Sequence, residues 1–253
     1  VERFWVFEVG RGYFRRGKAG ARHAGVQEKL MVGGLLLGTP LESDWKPAAP
    51  LDFYGAKGVV ETLLETLGLL EEVRFEPGEL PGLHPGRTAR LVEAGGKASD
   101  KVVGWLGELF PATAQAMKFR APAYLFELDA EWMAKRLQRK RSQALAQESP
   151  TVVRVSPFPA MDRDMAFVAP ESLSHQAVLD ALAQARAGLA QDWVREVRLF
   201  DEYRGERLGE GQRSLAYRVT FQSGERTLTD GEVDAAMAVL RKALADGLGV
   251  AFR

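Results

Sequence analysis

Along the apolar run from Val194 to Asp201, Arg198 and Phe200 alternate with Val197 and Leu199, so a strand there turns a guanidinium and an aromatic ring to the same side. A second run, Arg213 to Gln222, alternates Leu215, Tyr217, Val219 and Phe221 with Ser214, Ala216, Arg218 and Thr220. Side by side in one sheet, the two strands would bring Arg218 and Ala216 next to Arg198 and Phe200. A ring between two guanidinium groups can stack an unpaired base, although an outward Phe is as often packed under a loop or another domain. The residues leave both readings open.

No other constellation in the chain assembles a reactive site. Gly12, Gly17 and Lys18 match part of a phosphate-binding loop, but Ala19 supplies no hydroxyl for Mg²⁺, and Gly20 and Gly25 make a poor helix start. A glycine-rich hairpin loop is the better reading. His23, His84 and His175 lie far apart, with none at metal-ligand spacing. Asp162 and Asp164 flank Arg163; a paired acid and base is conceivable chemically, but a turn entering a strand is the ordinary use of such residues. No G-x-S-x-G elbow occurs. We therefore expect no catalytic residue, no metal site and no cofactor bound by this chain.

Composition agrees with an ordinary globular protein. The 253 residues are 46% hydrophobic, and 34 Lys plus Arg balance 34 Asp plus Glu. Without Cys, disulfides and thiolate chemistry are excluded, and a reducing compartment such as the cytoplasm is the default. The longest apolar stretch, Leu30 to Leu37, is too short to cross a bilayer. Val1 opens inside an apolar run without an initiator Met, as expected of a piece of something longer.

The elements that must position these side chains fall into two expected domains. Residues 1–149 combine β-like runs (Phe4 to Val9, Thr88 to Glu93, Val102 to Gly107, Ala123 to Leu128) with an amphipathic helix from about Asp52, stopped by Gly68. Lys135 to Ser149 reads as a basic, polar linker, with Lys135, Arg136, Arg139, Lys140 and Arg141 equally suited to solvent or to RNA phosphates. Residues 150–253 read as an extended run at Val152 to Val155, strands at Arg163 to Val168, Val194 to Asp201 and Arg213 to Gln222, and a last one at Val250 to Arg253. Helices begin near His175 and Asp230, the second with Thr229 and Glu232 as a capping box and Gly247 as its end. That order, βαββαβ with both helices on one face, is the ferredoxin-like arrangement, and it leaves the other sheet face open.

Several short motifs occur there in order: Phe158-Pro159-Ala160, Arg163-Asp164-Met165-Ala166, Leu199-Phe200-Asp201-Glu202-Tyr203-Arg204-Gly205, Ser214-Leu215-Ala216-Tyr217 and Arg226-Thr227-Leu228-Thr229-Asp230. Together they resemble the ferredoxin-fold anticodon-binding domain of phenylalanyl-tRNA synthetases. The first part is similar to the catalytic-like module of the bacterial β subunit, through Phe7-Glu8-Val9-Gly10, Asp52-Phe53-Tyr54, Lys57-Gly58, Leu83-His84-Pro85-Gly86-Arg87, Gly107-Glu108-Leu109 and Phe126-Glu127-Leu128-Asp129. The resemblance implies an α+β chain, a class II synthetase-like antiparallel-sheet module without ATP or amino-acid site, followed by the ferredoxin-like domain.

By the same resemblance the parent ligase is a heterotetramer of two α and two β subunits that attaches phenylalanine to its tRNA with ATP and Mg²⁺ on the α subunit. Residues 1–134 would pack against α, and residues 151–253 would hold the anticodon. The expected RNA-binding residues are Phe158, Arg163, Arg198, Phe200, Tyr203 and Arg218. The competing expectation is an assembly scaffold for α with little RNA contact. Residues 151–253 carry 13 cations, 12 of them Arg, against 15 carboxylates, so any RNA contact must be local rather than a broad basic footprint.

Overall fold

The computed structural model describes residues 3–16, 25–39, 50–94, 101–146, 155–189, 191–205 and 208–252. The chain divides into two compact units, Val1–Pro150 and Thr151–Arg253.

The first unit is built on two long strands, β1 (Phe4–Arg16) and β2 (Gly25–Leu37), followed by α1 (Phe53–Thr66) and a 3-10 turn at Leu70–Glu72. Strands β3 (Val73–Pro77), β4 (Leu83–Glu93) and β5 (Val102–Leu109), the short helix α2 (Pro111–Ala116), β6 (Ala123–Asp129) and α3 (Ala130–Ala146) complete it. The six strands form one sheet in the order β1-β2-β6-β5-β4-β3, and every pairing is antiparallel. Asp52 caps α1 by accepting the Gly55 N–H at 2.7 Å, and Ala56, Val60 and Leu64 present its apolar stripe to Leu91, Leu106, Phe126 and Leu128. Gly104 in β5 lies against β6 so closely that a Cβ there would sit 2.7 Å from the Glu127 carbonyl oxygen.

Two expectations change in this unit. The segment read as a linker is largely helix: α3 runs to Ala146, and Gln147 to Pro150 lie outside the described residues. Its polar sequence conceals the packing because cations face inward. Arg136 pairs with Glu72 and Glu93, while Lys140 reaches Glu72 at 3.2 Å and donates to the Gly68 carbonyl at the end of α1. Gly12, read as the start of a glycine-rich loop, lies inside β1 opposite Lys29; Gly17, Lys18 and His23 fall outside the described residues.

The second unit contains β7 (Met161–Pro170), α4 (His175–Ala187), β8 (Val194–Tyr203), β9 (Gln212–Phe221), α5 (Asp230–Leu248) and β10 (Ala251–Phe252). The βαββαβ order holds, in an antiparallel sheet β10-β7-β9-β8. Both helices cover one face, where Met165, Phe167, Leu215, Tyr217, Val219 and Phe221 meet Val178, Leu182, Val233, Met237, Leu240 and Leu244. The capping box forms as read, with Glu232 accepting the Thr229 N–H at 2.9 Å. Gly247 does not end α5: the helix continues to Leu248, and Gly249 ends it at φ 64°, a left-handed conformation that glycine adopts without a Cβ penalty. Val152 to Arg154 fall outside the described residues, and Val155 belongs to no strand.

Two titrations follow from this packing. Arg226, then the Thr229 backbone and hydroxyl, hold the Glu232 carboxyl down at about 2. Its folded value lies below its unfolded one, so the capping contribution is present above about pH 4.5 and is lost as pH falls toward 2. Burial pushes the phenols of Tyr124 in the first unit and Tyr217 in the second up to about 12. With an unfolded value near 10, the folded state is fully favoured below pH 10 and loses stability as pH rises through 12. Melting temperatures taken between about pH 9 and pH 12 should fall, and Tyr217→Phe should lessen the fall for the second unit. An identical alkaline slope in that variant would sink the assignment to Tyr217.

Candidate nucleic-acid interface

The open face of the second sheet collects the side chains that alternate with the core. Asp164, Arg218 and Arg198 lie in one row across β7, β9 and β8, since Arg218 is opposite Asp164 on one side and Arg198 on the other. Arg218 makes a two-pronged bond to Asp164, with Nε and Nη2 each 2.8 Å from a carboxylate oxygen. That contact holds the Asp164 carboxyl below the usual carboxylate range and raises Arg218 further. Asp162 and Asp164 are therefore inside strand β7 and not in a turn before it; Asp162 accepts from Thr220 at 2.7 Å.

A bulge lies at the ring. Leu199 pairs with Tyr217 and Asp201 with Ala216, so Phe200 is the extra residue in β8; it keeps the side that alternation gives it, and Asp201 and Tyr203 after it are shifted to that same side. It projects to the open side, 47% exposed, with the Arg218 guanidinium 5.2 Å from its ring centroid. Arg198 is exposed and has no ion-pair partner among the described residues. Next along the face come Ala166, Ala216 and Asp201, then Val168, Ser214 and Tyr203, the last 44% exposed. Small side chains thus lie between the Phe200–Arg218 pair and Tyr203.

Four of the six expected residues, Arg198, Phe200, Tyr203 and Arg218, share this face. Arg163 lies on the other face, and Phe158 lies ahead of β7 in no strand. Arg163 has the parity of Met165 and Phe167 and turns to the helix side, where it bonds Asp234 at 2.8 Å and Asp230 at 2.5 Å. Both carboxylates are on α5, so its geometry is that of a clamp between β7 and that helix. Arg163→Ala should lower the melting temperature of the second unit and leave discrimination between RNA sequences unchanged. Loss of discrimination in a folded variant would return Arg163 to the interface. Phe158 is half-buried at the end of β9, its carbonyl accepting from Gln222 Nε2 at 2.7 Å.

What sequence reasoning missed is the acceptor set: Asp162, Asp164 and Asp201 are on the same face as the cations, and the alternation of β7 was the signal that could have found the first two. Donors and acceptors beside an exposed ring suit base edges better than bare phosphate. Among the described residues, no three His, Asp or Glu side chains cluster to hold a metal.

Known proteins decide the family. Residues 1–130 match the family described as phenylalanyl tRNA synthetase beta chain CLM domain, and residues 156–253 match the ferredoxin-fold anticodon binding domain. The chain belongs to the phenylalanine–tRNA ligase β-subunit family. Relatives of that name include those of Synechococcus sp. (strain JA-3-3Ab), 39% identical over 90% of this chain, and Moorella thermoacetica, 36% identical over 98%. The chain spans only 26% and 28% of the length of those two β subunits. Among solved structures it is similar in part to pyrrolysyl-tRNA synthetase from Desulfitobacterium hafniense, at 20% identity and a TM-score of 0.33, over 55% of this chain and 42% of that one. Within the β-subunit family, the sheet face described above belongs to the unit that matches the anticodon-binding domain. No helix among the described residues is long and apolar enough to cross a membrane.

Proposed function

We propose that residues 155–252 bind the anticodon region of the tRNA for phenylalanine, within a cytoplasmic phenylalanine–tRNA ligase whose α subunit carries out the ATP- and Mg²⁺-dependent attachment. The observation that carries this reading is the open sheet face. Phe200 offers a stacking surface, Arg218 is preset over it by Asp164, and Arg198 and the Asp201 carboxylate stand beside it as donor and acceptor. Preset side chains lose little freedom on binding, so even a small contact of this kind discriminates between bases. Tyr203, across the small residues, is positioned to stack a second base. Catalysis in this reading belongs to α, and this chain supplies position.

The test is a titration of the chain with a phenylalanine anticodon stem-loop and an anticodon-substituted loop at two salt concentrations. Preferred binding that survives the higher salt is expected, because phosphate attraction weakens with salt and base contacts do so much less. Phe200→Ala should lower affinity roughly tenfold or more, the loss typical of one stacked base, without lowering the melting temperature. Equal binding to both loops would overturn the reading.

A second role, packing against α in the heterotetramer, is favoured by the β1–β2 hairpin. It exposes apolar side chains on both faces: Phe7, 76% exposed, and Tyr13, 68%, lie with Val9 and Val26 on one, and Phe4, Val6 and Phe14 are open on the other. Patches of this kind on a soluble protein usually mark a partner surface. Light scattering should show concentration-dependent association of the isolated chain, relieved by added α subunit. A monodisperse monomer that ignores α would remove this role.

A further inference from the structure

We infer that the outer face of α3 is a second RNA contact, one that grips phosphates rather than bases and lies outside the unit matched by the anticodon-binding domain. The helix divides its cations into two sets. Arg136 and Lys140, on the side of Trp132 and Met133, are engaged by Glu72, Glu93 and the Gly68 carbonyl. Lys135, Arg139 and Arg141 are exposed and have no ion-pair partner among the described residues. Between Trp132 and Ala146 the sequence contains no carboxylate at all.

This division is more than a polar surface needs. Solvated helices in soluble proteins commonly mix signs at i and i+4, as Glu131 and Lys135 do at the start of α3; beyond that turn positions 135 and 139 repeat the same sign, a mildly unfavourable pairing for an isolated helix. A bound polyanion reverses that sign. Lys135 and Arg139 are one turn apart, about 6 Å along the axis, a separation of the order of successive phosphates on a nucleic-acid strand. Gln138 and Ser142, exposed on the same side, add neutral donors. Charge complementarity therefore points to a phosphate backbone as the occupant, and in a member of this ligase family the backbone is that of tRNA. The inference rests on the reading that the chain binds tRNA, but it makes a separate demand: α3 should set the salt dependence of binding and have no part in recognising the anticodon.

The experiment compares the chain with its Lys135→Gln/Arg139→Gln/Arg141→Gln variant, using an unmodified full-length tRNA transcript with the phenylalanine anticodon and one with a substituted anticodon, over a series of salt concentrations. Gln has a helix propensity close to that of Lys and Arg, so α3 should persist, and circular dichroism checks it. The slope of log affinity against log salt should become shallower by about 2 to 3, one phosphate contact per cation removed. Affinity at low salt should fall roughly tenfold or more. The ratio between the two anticodons should stay as it was. A Lys135→Arg/Arg139→Lys/Arg141→Lys variant should restore both slope and affinity, since charge alone is required. An unchanged slope and affinity in the Gln variant would overturn the inference, as would a loss confined to anionic lipid vesicles or poly-glutamate offered in place of tRNA. Equal binding of both anticodons by the unaltered chain would instead overturn the proposed function, and the slope comparison would still decide the fate of α3.

Discussion

Phe167→Ala is expected to destabilise the second unit by about 3–5 kcal/mol, the range for removing a buried phenyl ring from a packed core. Phe167 has no exposed surface. Its ring lies parallel to Tyr217 at 5.7 Å and edge-on to Phe252 at 5.5 Å, and its backbone is paired to strands on both sides, opposite Leu215 and Phe252. Neighbours held by two strands cannot easily move into the space, so the cavity term adds to the lost transfer energy. Against total stabilities of about 5–15 kcal/mol, this is a large fraction. Urea unfolding followed through the second unit checks it, and a loss below about 1 kcal/mol would mean that the core can collapse there after all. RNA binding would be reduced in this variant because less protein is folded, which is how it differs from Phe200→Ala, where binding falls and stability does not.

Gly104→Val is expected to be the corresponding lesion in the first unit. A Cβ at this position meets the Glu127 carbonyl oxygen at 2.7 Å and Leu128 Cδ2 at 2.7 Å. A leucine methyl can rotate away, but a carbonyl in a hydrogen-bonded ladder can yield only if β5 and β6 separate. The cost should reach the upper end of the about 1–3 kcal/mol usual for overpacking, and exceed it for the branched side chain. Gly58, in the middle of α1, supplies the contrast: a Cβ there meets nothing within 4 Å. Gly58→Ala should therefore stabilise the same unit by about 0.4–1 kcal/mol. Melting curves of the two variants should move in opposite directions; a shared direction would contradict the close approach at Gly104.

Much of this was legible before any coordinates. The amphipathic stripe of Ala56, Val60 and Leu64, the Thr229–Glu232 box and the alternation of β9 each depend on neighbours within one or two turns, which a sequence displays directly. Elements stabilised by distant partners were not legible. The hairpin strand β1 continues past Val9 through Gly10 and Gly12 because β2 pairs it to Arg16, and α3 is a helix because acidic residues of the 3-10 turn and of β4 receive its cations. At the interface, alternation correctly turned Arg198 and Arg218 to one side. It gave Phe200 the right side but not the bulge that brings Asp201 and Tyr203 to that side, and it could not disclose that Asp164 fixes Arg218 in place. Arg163 lies in a family motif, yet its parity with Met165 assigns it to the helix side.

The strand order of the second unit also governs how it comes into being during synthesis. Strand β7 is made first but lies between β9 and β10, so both of its edges await chain not yet translated. About 40 residues separate the end of β7 from the start of β9, roughly 2–8 s of elongation at bacterial rates. Throughout that interval Met165, Phe167 and Val168 belong to an apolar segment whose amides have no partner strand on either side. Three charges stand at its head, Asp162, Arg163 and Asp164, the kind of flanking residue that opposes premature pairing of an apolar strand with other chains. In the finished unit the same residues are taken up by partners made later, Asp162 by Thr220, Asp164 by Arg218 and Arg163 by Asp230 and Asp234 of α5.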